Sequence, residues 1–114
     1  QAFGTRVTVY DPFISTTDIP DGFAAVSVLD AGLKTADIIS LHLPFIKETG
    51  PAIGKDEFAK MKDGVMIINC ARGGIVDEAD LNEALASGRV AGAEAAPTWT
   101  MKFWRSGRCF GCVI

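Results

Sequence analysis

The feature that most constrains how this chain can fold is the stretch 64–93, GVMIINCARGGIVDEADLNEALASGRVAGA. An apolar run from Val65 to Ala71 stops at a single cation, Arg72, followed by Gly73 and Gly74, a helical stretch and a second apolar run from Val90. Asp77 stands where an N-cap belongs, with Asp80 at N3; Leu81, Ala84 and Leu85 share one face, and Gly88 suits the position that closes a helix to about Ser87. A strand, a helix and a strand in succession predict two parallel strands joined by a crossover. Val65 to Cys70 is nearly continuous in apolar residues, the pattern of a strand covered on both faces.

The rest of the chain repeats the alternation. Ala2-Phe3-Gly4 reads as a helix end, and Arg6 to Tyr10, RVTVY, as a strand rich in β-branched residues. Residues 13–22 form a loop, and Phe23 to Val26 a short strand. Ser27 reads as an N-cap with Asp30 at N3, and Leu29, Leu33 and Ala36 lie on one face of a helix over about 28–35. Asp37 to Leu43 reads as a buried strand ended by Pro44, which has no amide for a ladder. Gly54 opens a short helix with Glu57 at N3, and Ile53 and Phe58 have the spacing of a hydrophobic staple. Lys62-Asp63-Gly64 turns the chain back, and Val90 to Ala93 begins a further strand. The fold class is α/β, a doubly wound parallel sheet.

The bulk numbers narrow the function. A chain of 114 residues suits one domain. Its net charge of −3 builds no positive field for a phosphate backbone, so no nucleic acid partner is expected. No apolar run approaches the roughly 18 residues of a bilayer span, so no membrane segment is expected. Nor is a secretory leader, and a first residue of Gln makes the start look cut. The odd count of 3 cysteines argues against a disulfide framework and favours an intracellular setting. Cys109 and Cys112 form a CxxC with neither the strand-to-helix setting of a redox pair nor the second pair of ligands zinc needs, so no metal is expected.

Arg72 is the leading candidate for chemistry. In open α/β sheets ligands occupy the crevice outside the carboxyl ends of the strands, and a guanidinium matches a carboxylate bidentately. Other residues read more plainly in isolation: Asp11 as a turn initiator before Pro12, His42 as a satisfied structural group, and Cys70 as a small buried hydrophobe.

NCARGGIVDEADL, read together with YDP at 10–12 and SLHLP at 40–44, resembles the NAD-binding domain of the D-2-hydroxyacid dehydrogenases over residues 1–93. The resemblance implies a partial Rossmann-type sheet holding the family's second to sixth strands, without its first strand or the glycine-rich loop after it. It implies NAD as cofactor and a small-molecule 2-hydroxy or 2-keto acid as substrate, in a cytoplasmic enzyme that is a homo-oligomer when intact. Asp11 then corresponds to the acid that accepts the adenosine ribose hydroxyls and disfavours a 2′-phosphate. His42, Leu43 and Pro44 correspond to a turn lining the cofactor, Cys70 and Ala71 to its nicotinamide side, and Arg72 to the catalytic-site arginine that holds the substrate carboxylate and carbonyl.

Beyond Ala93 the chain departs from the pattern. The family continues with an aspartate for the carboxamide, a catalytic glutamate and a histidine, where this chain reads AEAAPTWTMKFWRS. Residues 94–114 are accordingly expected to be an atypical tail outside the family fold. Loss of the first strand is expected to leave two strand edges unpaired. The chain by itself is expected to be inactive, with a non-enzymatic NAD-sensing or corepressor-type relative, or a member of the glyoxylate- or hydroxypyruvate-reducing type, as the alternatives.

Overall fold

The computed structural model describes residues 4–95 and 111–113. Six strands, β1 (Thr8–Val9), β2 (Ala24–Ala25), β3 (Ile38–Leu41), β4 (Val65–Asn69), β5 (Val90–Ala95) and β6 (Gly111–Val113), form one sheet in the order β2-β1-β6-β3-β4-β5. Every pairing is parallel. All six carboxyl ends therefore lie along one edge.

Among the described residues three α-helices link the strands, α1 (Leu29–Thr35), α2 (Lys55–Lys60) and α3 (Glu78–Ala86), with a short 3-10 helix at Thr16–Asp18 between β1 and β2. α2 touches both α1 and α3, so the helices form one layer. Beneath it Leu33, Ile39, Leu41, Phe58, Val65 and Ile67 are buried. The β4 expectation requires correction here. Its residues alternate between buried and half-buried, with Val65, Ile67 and Asn69 facing the helices and Met66 and Ile68 the other side. The described helices cover one face of the sheet, so the apolar run exceeds what that layer buries.

The caps are long-range as often as local. Asp77 accepts the Asp80 amide at 2.9 Å and starts α3 as expected. The Glu57 carboxylate accepts the Gly54 amide at 2.9 Å, and the staple residues Ile53 and Phe58 are both buried. Asp80 reaches across from α3 and accepts the Lys55 amide, the first of α2, at 2.8 Å. A Cβ on residue 54 would stand 3.3 Å from that carboxylate, so glycine makes the approach possible. α1 differs from expectation: its N-cap is Val28, with no side-chain bond. The Asp30 carboxylate instead binds Lys60 of α2 at 2.9 Å, which raises the lysine's pKa above its ordinary value.

β6 stands between β1 and β3, with Val113 paired to both Val9 and Ser40. This is where a 3-2-1-4-5-6 sheet has its first strand. The expected pair of open edges at the centre of the sheet is therefore absent, because a segment from residues 94–114 lies between them. Cys109 and the rest of 96–110 lie outside the described residues, as do 1–3, which include most of the expected helix end.

Candidate functional site at the carboxyl edge of the sheet

Three turns meet at the carboxyl edge, and each carries residues singled out in the sequence. Asp11 follows β1, His42-Leu43-Pro44 follows β3, and Cys70-Ala71-Arg72 follows β4. β1 and β4 are three strand spacings of about 4.8 Å apart, so Asp11 and the Arg72 turn are separated by roughly 14 Å across the edge.

The turn after β4 is the most constrained. Asn69, at the end of the strand, is 4% exposed and the one buried polar residue among those described. Its Oδ1 accepts the Ala71 amide at 3.0 Å, and its Nδ2 donates to the Arg72 carbonyl at 2.9 Å. Downstream, Ala52 and Ile53 donate to the Ile75 carbonyl at 2.8 and 3.0 Å, and Asp77 donates to that of Ile53 at 2.9 Å. Ile75 and Val76 are buried. Arg72 thus sits on a short span fixed at both ends. Its side chain is exposed, and among the described residues no carboxylate pairs with it.

Gly74 has φ +84, and a Cβ there would meet the Phe45 ring at 3.1 Å. This glycine answers to backbone conformation and to an aromatic ring, whereas Gly73 has open space around it. Phe45 belongs to the segment after β3, so its ring ties the two turns together.

Cys70 requires correction, because it is exposed rather than buried. It is the first residue past β4 and is held through its backbone, its amide donating to the Leu41 carbonyl at 3.2 Å. His42 is exposed, with Nε2 2.8 Å from the Ser40 hydroxyl; Leu43 packs against the core and Pro44 is exposed. Asp11 is half-buried, and its Oδ1 accepts the Phe13 amide at 2.8 Å, the turn-initiating geometry. Its second oxygen has no partner among the described residues.

These groups fit part of a dinucleotide. A strand-end carboxylate with a spare acceptor suits ribose hydroxyls, and an exposed cation across the edge suits an acid substrate beside the nicotinamide. A glycine-rich phosphate cradle has no counterpart among the described residues. No group of His, Cys, Asp and Glu there is arranged to hold a metal, and no described helix is long and apolar enough to cross a membrane.

The family model for the D-isomer specific 2-hydroxyacid dehydrogenase NAD binding domain matches residues 1–96. The chain belongs to the D-2-hydroxyacid dehydrogenases. It is 47% identical over 93 residues to D-3-phosphoglycerate dehydrogenase of Bacillus subtilis, covering 82% of this chain and 18% of the relative. It is 45% identical over 89 residues to hydroxypyruvate reductase of Thermotoga maritima, covering 78% of this chain and 28% of that protein. The crystal structure of D-lactate dehydrogenase with NAD+ from Lactobacillus jensenii superposes with a TM-score of 0.73 at 43% identity, over 81% of this chain and 27% of that one. The chain thus spans less than a third of the length of these dehydrogenases. The family match ends just past β5, so β6 lies outside it.

Asn69 and Phe45 are the residues at this edge that sequence reasoning passes over. The signal for Asn69 is an amide at the buried register of an otherwise apolar strand; Phe45 carries no such signal.

Proposed function

We propose that this chain is the nucleotide-binding portion of a cytoplasmic, homo-oligomeric NAD-dependent D-2-hydroxyacid dehydrogenase that oxidises 3-phosphoglycerate, the step that opens serine biosynthesis. Arg72 carries the reading: an exposed cation without an acidic partner among the described residues, on a turn held at both ends, at a strand's carboxyl end. Such a group is free to take the substrate's carboxylate and carbonyl in a bidentate grip, and charge-assisted bonds of this kind contribute about 1.5–3 kcal/mol each. NAD, when bound, accepts the hydride. Asp11 would receive the adenosine ribose hydroxyls on its spare oxygen. Leu43 and Pro44, the backbone of His42, and Cys70 with Ala71 would form the wall against which the cofactor rests. The base that takes the hydroxyl proton is not assigned to any residue of this chain, so the chain alone is expected to show no turnover.

The likeness to the Thermotoga maritima hydroxypyruvate reductase supports a second reading, in which the substrate is hydroxypyruvate. Steady-state kinetics of the complete gene product on 3-phosphoglycerate, hydroxypyruvate and D-lactate decide between them. The expected result is the highest kcat/KM for 3-phosphoglycerate, falling about 10- to 100-fold in Arg72→Lys because an ammonium cannot reproduce the fork. Unchanged kinetics in that variant would remove Arg72 from the substrate site; preference for hydroxypyruvate would favour the second reading.

A further inference from the structure

We infer that Asn69 is a positioning residue for Arg72, its carboxamide setting the direction in which the guanidinium leaves the turn. The inference rests on the proposed role of Arg72 and adds the group that aims it. Asn69 shares the helix-facing side of β4 with Val65 and Ile67, where the alternation of the strand calls for an apolar side chain. An amide buried there is tolerable only when its polar atoms are satisfied. Both are satisfied by the same short turn: Oδ1 takes the Ala71 amide and Nδ2 gives to the Arg72 carbonyl. A carboxamide offers an acceptor and a donor on one planar group without depending on pH. The two bonds bracket Ala71 and Arg72. They orient the peptide that carries the Arg72 carbonyl and with it the Cα–Cβ bond from which the cation projects.

Strand β4 does not need this arrangement. Its ladder with β3 already ends at the Leu41 and Asn69 pair, and the Cys70 amide bonds the Leu41 carbonyl. The carboxamide bonds therefore act beyond the strand, on the segment carrying the cation.

Asn69→Asp tests this in the full 114-residue chain. With its carboxyl ionised, the substituted residue keeps size and the acceptor for the Ala71 amide but lacks the donor to the Arg72 carbonyl, so the measurements are made at a pH high enough to ionise it. NMR relaxation should show order parameters for the amides of residues 71–73 and for Arg72 Nε–H falling from the rigid range of about 0.85 toward 0.6, with β3 and β4 unchanged. Titration with oxamate, a 2-keto acid analogue, in the presence of NAD should show the Arg72 Nε–H response weakened at least about 10-fold relative to the unsubstituted chain. Unchanged order parameters would overturn the inference whatever the titration shows. Absence of any oxamate response at Arg72 in the unsubstituted chain would instead count against the proposed substrate site and leave the relaxation result to decide on Asn69. Should the variant not fold, hydrogen exchange in the unsubstituted chain decides: the Ala71 amide must exchange at least about 10-fold more slowly than that of Gly73, and equal rates would overturn the inference.

Discussion

At the scale of single residues, the two glycines after Arg72 look equivalent in the sequence and are not. Gly74 holds φ +84 with the Phe45 ring standing where a Cβ would go, while the space around Gly73 is open. Gly74→Ala should cost about 1–3 kcal/mol in urea denaturation, from left-handed backbone strain and displacement of the ring. Gly73→Ala should stay within about 0.5 kcal/mol, and equal losses in the two would refute the distinction. The importance of the pair is legible in the ARGG run, because a cation at a strand end followed by glycines is a local pattern. The reason for Gly74 is not, since the ring that requires it comes from residue 45, on the far side of both α2 and β4 in the sequence. Cys70 shows the same limit in reverse: a residue at the end of an apolar run reads as interior, and one step past the strand turns it to solvent.

At the scale of elements, signals within a few residues translate directly into structure. The Asp77 cap forms as the spacing predicts, and Ile53 and Phe58 are both buried, as a staple between them requires. Ser27 is not the cap: the helix starts one residue later, on Val28, and Asp30, the acid that pointed to Ser27, is engaged by Lys60 on the neighbouring helix. Asp80 reads as the N3 residue of its own helix, yet its carboxylate serves the first amide of α2. Removing it with Asp80→Ala should therefore destabilise the fold by about 1 kcal/mol, the usual cost of losing an N-cap. Asp80→Asn retains an acceptor and should lose less than half as much in the same urea titration. A smaller loss for alanine than for asparagine would show that the bridge between the helices is not what Asp80 contributes.

At the scale of the whole molecule, the parallel sheet and its edge of strand ends follow from the alternation of strands and helices. The centre of the sheet does not, because Gly111–Val113 offers no periodicity long enough to announce a strand and reaches its place only through pairing with β1 and β3. Deleting residues 96–114 should open both of those strands at the middle of the sheet. Size-exclusion chromatography and a thermal melt followed by circular dichroism should then show self-association and loss of a cooperative transition; a monomer melting at the unchanged temperature would show that β6 contributes nothing to the sheet. β6 follows in sequence both strands it joins, and the pairing of Val9 with Val113 links two points near opposite ends of this sequence. A pairing between partners so far apart in sequence carries the largest loop-closure cost of any in this sheet, which makes its centre the slowest part to close.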